Sequence, residues 1–375
     1  MRKHIIYRYF LFLSLVGLMQ LTLSCSSSSN EIEPLKPEGG DTSSEKDEYT
    51  FLNVEYRKWQ NGTFQAWTTA DSRETRTIDN MNWYTPSSDY SRTAWGGRIG
   101  LQPSSVVGKE GFFRVANCRG RSYLLDPDNG AVIIHGIQHV RPGESTAHKK
   151  AFGTRYGSEA RWSEETGKLL ADNHINYISY GSNRIEVFPA AVRGNLLTPK
   201  TQKIAYAENL YLLRTFMWDM SKNLGYAFDD DKYNRLVLLF EPTFATYIDR
   251  LVQEKSALFA GDRHFIGFYL DNELPFASYQ GTGYANTEGG GWLVHTQKNR
   301  GEFYQNFCLR LLETRNCVGW VHFEYNDGYD SNGKASNKGV VSIEYEPYES
   351  FLSQMRQLNL SVHSLIDYYD TKSVQ

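Results

Sequence analysis

Asp271-Asn272-Glu273 is the stretch of this chain whose residue types are best suited to chemistry. It follows Phe265-Ile-Gly-Phe-Tyr-Leu270, a short apolar and aromatic run, and precedes Pro275, which cannot extend a ladder of hydrogen bonds. Such a run reads as a strand buried on both faces of a parallel sheet. Polar groups at the carboxyl end of such a strand stand where α/β barrels place their reacting side chains. A Glu preceded by an Asn suits glycoside hydrolysis, the acid protonating the leaving oxygen and the amide holding a neighbouring sugar hydroxyl. The plain alternative is a strand-end turn whose acids are merely solvated.

His135 and His139 form a second candidate, within Ala131-Val-Ile-Ile-His-Gly-Ile-Gln-His-Val140, which closes at Arg141-Pro-Gly. This is read as one buried strand with polar residues at its end, and a spacing of four puts both rings on one face. No third ligand lies near, so the pair is assigned to lining a sugar site or to satisfied packing rather than to a metal. No cofactor is expected. Trp292 and Trp320 are candidates for stacking on the C–H faces of sugar rings, with core packing as the equal alternative. The chain carries 8 Trp and 25 Tyr, an excess of rings that fits a carbohydrate-binding surface.

The elements that must hold these residues alternate. Gly111-Phe-Phe-Arg-Val-Ala and Arg121-Ser-Tyr-Leu-Leu-Asp form a hairpin, and Asp126-Pro-Asp-Asn-Gly130 makes a further turn. After the histidine strand come a helix over Gly157 to Asp172 and a strand over Ile175 to Tyr180. A third strand is read over Leu210 to Met220, followed by a helix over Pro242 to Phe259. Buried strands alternating with helices, polar at the strand ends, give the first half of a (β/α) barrel. Residues 49–130 are polar, aromatic and poor in helical periodicity, and read as a small β-rich segment ahead of the barrel.

The amino-terminal residues are excluded from the fold. Arg2, Lys3 and Arg8 precede an apolar run over Phe10 to Leu23, which leads to Leu21-Thr-Leu-Ser-Cys25 and four serines. That is a signal peptide over 1–24 with cleavage before a lipidated Cys25, although Thr22 is not the usual residue three places before the Cys. Residues 25–48 are rich in Ser, Glu, Pro, Gly and Asp and form a flexible tether. The expected location is the bacterial cell envelope, the chain held to a membrane by its lipid. A formal net charge of −3 leaves no electrostatic footprint for nucleic acid. Of the 4 Cys, the three beyond the leader do not make a disulfide framework; Cys308 and Cys317 could pair, but small buried thiols are the simpler reading.

Gly111-Phe-Phe-Arg-Val, Tyr123-Leu-Leu-Asp-Pro-Asp and His135-Gly-Ile-Gln-His-Val-Arg-Pro together resemble the opening of the barrel in agarase-type glycoside hydrolases. Phe265 to Phe276 looks like their fourth barrel strand with its acid/base Glu, and Phe240-Glu-Pro-Thr-Phe like the start of the preceding helix. Gly291-Trp-Leu-Val-His-Thr-Gln and Cys317-Val-Gly-Trp-Val-His-Phe-Glu-Tyr-Asn-Asp resemble their last helix and eighth strand, with Tyr345-Glu-Pro-Tyr in the closing segment. The resemblance spans about Gly111 to Leu358. It implies a retaining hydrolase of agarose, porphyran or a related algal galactan, with Glu273 as acid/base and Asn272 as its hydroxyl-binding partner.

The spacing departs from that pattern. A strand–helix repeat takes roughly 30 residues, so the interval 274–317 cannot hold the fifth, sixth and seventh repeats. The expected fold is a TIM-type (β/α) barrel over 131–375 with strands five to seven missing. The nucleophile, which a retaining enzyme keeps about 5 Å from its acid/base, is lost with them. Glu288, Glu302, Glu313 and Glu324 are the weak substitutes. Two other readings stand beside the hydrolase: a surface lipoprotein that binds glycan without cutting it, and an inactive remnant. Oligomeric state is not legible.

Overall fold

Short apolar runs separated by helices build a parallel sheet here, in a computed structural model that describes residues 48–60, 63–87, 90–181, 188–224, 240–271, 292–329 and 335–372. The amino-terminal part is extended. It carries β1 (Leu52–Arg57), β2 (Trp59–Gln60), β3 (Thr63–Phe64), β4 (Asp71–Thr75), β5 (Ser105–Val107), β6 (Arg114–Cys118), β7 (Arg121–Leu125) and β8 (Ala131–Val132). There follow β9 (Ile134–Ile137), α1 (Thr146–Arg155), α2 (Glu159–Asp172), β10 (Tyr177–Ile178), α3 (Ala190–Leu197) and β11 (Ala205–Asn209). The chain continues through α4 (Leu212–Leu224), α5 (Phe244–Leu258), β12 (Phe265–Tyr269), β13 (Leu293–Val294), α6 (Gln297–Glu313), β14 (Gly319–His322) and α7 (Glu349–Lys372).

The central sheet has the order β12-β11-β10-β9-β14, and every pairing in it is parallel. Parallel neighbours need long crossovers, which α1 to α5 supply on the β9-to-β12 side. Helix α2 shows the local logic. Ser158 caps it by accepting from the Arg161 N–H, Glu159 sits in the first turn, and Trp162, Thr166 and Leu170 recur on its buried face.

Each side of the sheet has its own core. Ile137, Ile178 and Tyr206 face the helices and pack with Trp162, Leu196 and Phe351. Ile134, Tyr177, Ala205 and Ala207 face the other way, with Trp95 and Val132. Alternation along each strand produces the two sets. Helices α6 and α7 then pair closely: a Cβ on Gly301 would lie 2.5 Å from the Gln354 side chain. Leu309 and Leu312 meet Leu358 and Leu365 in a further buried cluster.

The β-rich amino-terminal part is bound into that helix pair. Arg76, 1% exposed, donates to Glu313 at 2.7 Å, and the Ile78 N–H donates to Gln305 Oε1 at 2.9 Å. Arg121 donates to Asp370 and to the Leu312 carbonyl, and the hydroxyls of Tyr49 and Tyr369 meet at 2.6 Å. Residues Asp47–Gln375 form one compact unit.

Three sequence expectations change. The stretch Leu210 to Met220 is helix α4, not a strand; its buried residues Leu213, Phe216 and Met217 follow helical spacing, and the third parallel strand is Ala205–Asn209. The run Ala131–Val140 is two strands, β8 pairing antiparallel with β7 and β9 entering the parallel sheet. Strand β12 is half-buried along its whole length rather than buried on both faces. It pairs only with β11 and is the edge strand of the sheet among the described residues. Cys118, Cys308 and Cys317 are all free, so Cys308 and Cys317 do not pair.

Candidate functional site

The carboxyl ends of the parallel strands bring together residues from four separate segments. Strand β9 leads into Gln138 and His139, β10 into Ser179, Tyr180 and Gly181, β12 into Leu270 and Asp271, and β14 into Phe323 and Glu324. Backbone bonds hold these exits in register: the Gln138 N–H donates to the His322 carbonyl and the Tyr325 N–H to the Gln138 carbonyl, both at 3.0 Å. Strand-end sites of this kind are where open or closed parallel sheets bind ligands.

His139 is the centre of this arrangement. Its Nδ1 lies 3.0 Å from Glu324 Oε2, with side chains 26% and 16% exposed. A carboxylate only accepts, so the pair fixes the proton on Nδ1. The Phe323 ring stands edge-on to the imidazole at 5.0 Å. A Cβ on Gly181 would fall 2.3 Å from His139 Cδ2, so the glycine leaves the space the ring occupies. Beside it the Tyr180 ring lies 4.6 Å from that of Tyr269. The Tyr269 hydroxyl accepts from Tyr177 at 3.2 Å and from Ser179 at 3.4 Å. Asp271 accepts from the Leu213 N–H at 2.8 Å and so anchors the start of α4.

His135 lies on the helix side, not with His139. It is 4% exposed, its register partner on β14 is Trp320, and the two rings stack at 5.0 Å. The expected shared face fails because β9 ends at Ile137 and His139 lies beyond it in left-handed backbone, φ +55°. Burial pushes the His135 imidazole down to about 3, and that of His363 likewise to about 3. His135 Nε2, His363 Nδ1 and Gln202 Nε2 have no hydrogen-bond partner among the described residues. All three residues line a cavity of about 10 Å³, room for one water. His322, again on the helix side, is held down to about 4, first by burial and then by the Arg300 charge.

Trp320 is 7% exposed and its indole N–H donates to the Tyr304 hydroxyl at 2.5 Å, the placement of a core ring. Trp292 is 45% exposed, but Tyr56 stacks on it at 4.1 Å and the Arg73 guanidinium lies 5.2 Å above the ring. Both tryptophans line a groove of about 530 Å³ beside β14, together with Phe303, Phe307 and Phe323. His139 does not line it. Among the substitute acids, Glu313 is engaged by Arg76 and Arg310, and Glu302 is buried in the helix layer accepting from Asn299. Glu324 is the substitute that stands at a strand end. Asn272, Glu273, Glu288 and Cys25 lie outside the described residues.

The sequence had pointed to His139 and, weakly, to Glu324; it did not single out Gly181 or Tyr269. Their only signal was position, one just past a short apolar run and one inside the most prominent one. Among the described residues no group of three or more His, Cys, Asp or Glu could hold a metal ion, and no helix is long and apolar enough to cross a membrane.

No family model and no curated protein matches this chain. Among solved structures, the one described as "Crystal structure of BpGH50" matches with a TM-score of 0.68 at 18% identity, covering 86% of this chain and 96% of that chain. The chain has the fold of BpGH50. "The crystal structure of an agarase, AgWH50C" matches at TM-score 0.46 and 13% identity, over 75% of this chain and 67% of that one. "Structural analysis of an exo-beta-agarase" matches at TM-score 0.41 and 11% identity, over 75% and 69%. The structural likeness to BpGH50 is one of fold.

Proposed function

We propose that this chain is an agarase-like glycoside hydrolase whose substrate is an algal galactan such as agarose or porphyran. The observation that carries the reading is the strand-end cluster of His139, Glu324, Tyr180 and Tyr269 on a sheet with the fold of BpGH50. The motif resemblance between Gly111 and Leu358 supports it independently of geometry. In this reading the sheet order β12-β11-β10-β9-β14 represents the fourth, third, second, first and eighth strands of a (β/α)8 barrel lacking the fifth to seventh. Glu273, two residues beyond Asp271, is the general acid/base, and Asn272 holds a sugar hydroxyl.

A retaining reaction needs a second carboxylate about 5 Å from the first. Glu324 is the described candidate. The test is release of reducing ends from agarose and porphyran by the wild-type chain beside Glu273→Gln and Glu324→Gln. Cleavage lost in both variants supports a working hydrolase with a recruited second acid. Saccharide binding without cleavage by the wild type favours the second reading, a non-catalytic glycan-binding protein. A chain without a cooperative thermal transition would mean an inactive remnant.

We also propose that Cys25 is lipidated after cleavage of residues 1–24 and that residues 25–48 tether the folded part to a cell-envelope membrane. Mass analysis of the mature amino terminus checks this; a free or uncleaved Cys25 removes it.

A further inference from the structure

Three parallel strands spend conformational freedom on one imidazole. His139 sits at φ +55°, a region that costs an L-residue about 1–2 kcal/mol. Gly181, at φ +78°, closes against its ring with no room for a Cβ. Glu324, from the end of β14, holds Nδ1 at 3.0 Å. Backbone held in sparse regions persists only where its surroundings enforce it, and such positions cluster at ligand sites. The other ring nitrogen, Nε2, has no hydrogen-bond partner among the described residues, although the side chain is only 26% exposed.

The buried alternative is visible in the same molecule. His135 also has a bonded Nδ1, to the His174 carbonyl, but it lies in the helix layer at 4% exposure. His139 is instead at the strand ends, its ring against Gly181, which follows Tyr180; the Tyr180 and Tyr269 rings lie 4.6 Å apart and their aromatic bodies suit the C–H face of a sugar.

We propose that His139 Nε2 is a preset hydrogen-bond acceptor for a saccharide hydroxyl, with Glu324, the candidate second carboxylate, also holding the ring through Nδ1–H. The inference rests on the galactan reading above and deepens it by naming the recognising atom. The chemistry is simple. Glu324 accepts from Nδ1–H, and the Nε2 lone pair accepts from a donor hydroxyl of the saccharide. No bond is made or broken, and no metal or cofactor is required.

The test uses the full-length chain with nitrogen-15-labelled histidine, an agarose-derived hexasaccharide as the probe, and calorimetric affinities in parallel. In the free protein the His139 signals should show Nδ1 protonated, and saturating saccharide should move the Nε2 resonance toward the position of a hydrogen-bonded acceptor nitrogen. Glu324→Leu should scramble the tautomer and weaken binding about ten-fold. Glu324→Gln should keep both nearly intact, because its side-chain oxygen still accepts from Nδ1–H. A merely structural tie between β9 and β14 would lower the melting temperature in Glu324→Leu and leave affinity unchanged, which overturns the proposal. Saccharide binding with an unmoved Nε2 also overturns it while leaving the galactan reading in place. A folded chain that binds neither this probe nor a porphyran hexasaccharide overturns both.

Discussion

His135 and His139 stand four residues apart, yet the molecule uses them in opposite ways. His135 faces the helices, stacks on Trp320 and is kept neutral by burial, which drives its imidazole down to about 3. His139 lies past the end of β9, faces Glu324 and remains partly open to solvent. Spacing in sequence is identical to what a shared face would require. The strand stops after Ile137, and the left-handed turn at His139 re-aims its side chain. A strand end, rather than a spacing, separates the packing histidine from the one available to a ligand.

The comparison breaks first at Trp320. Trp320→Ala should cost about 3–5 kcal/mol of folding free energy, read from the denaturant midpoint, because a fully packed indole is removed from beside His135 and Tyr304. A loss below about 1 kcal/mol would show that the helix side is not a core.

Acid sharpens the same contrast. An unfolded histidine titrates at about 6.5, whereas burial pushes folded His135 and His363 down to about 3 and His322 down to about 4. Below the unfolded value the unfolded state takes up protons that the folded state refuses, so stability falls as pH drops. The fall runs until the folded values are reached, at up to about 1.4 kcal/mol per pH unit for each histidine. His135→Asn should flatten this slope between pH 6 and 4. An unchanged slope in that variant would show that burial does not keep His135 from taking up a proton.

The smallest expected effect on stability is at the strand ends. Gly181→Ala meets the His139 ring at 2.3 Å and a φ of +78°, so a loss of about 1–2 kcal/mol is expected, with the His139 signals displaced. Unchanged signals would mean that Gly181 does not shape the site.

Much of the architecture was legible because the parallel strands are short apolar runs with polar exits, and α2 and α5 carry clear helical periodicity. The third strand was not. Ala205-Tyr-Ala-Glu-Asn209 is short and mixed, while the next apolar stretch, Leu212–Leu224, is long enough to draw the assignment and has helical spacing instead. The half-burial of β12 was equally hidden. Its residues are those of an interior strand, and only the count of neighbours among the described residues makes it an edge.

For the site, sequence alone marked Glu273, Asn272, His139 and the aromatic surplus as chemically apt, and set the interval 274–317 as too short for three further repeats. Local composition and chain length carry those statements without reference to any distant residue. Tertiary structure alone decided that Trp320 and His135 are packed together on the helix side. It also decided that Tyr56 stacks on Trp292 and that Glu324 meets His139 across 185 positions of sequence. The physical reason is that a side chain's partners depend on strand parity, strand ends and sheet order, and these are set by contacts between residues far apart in the chain.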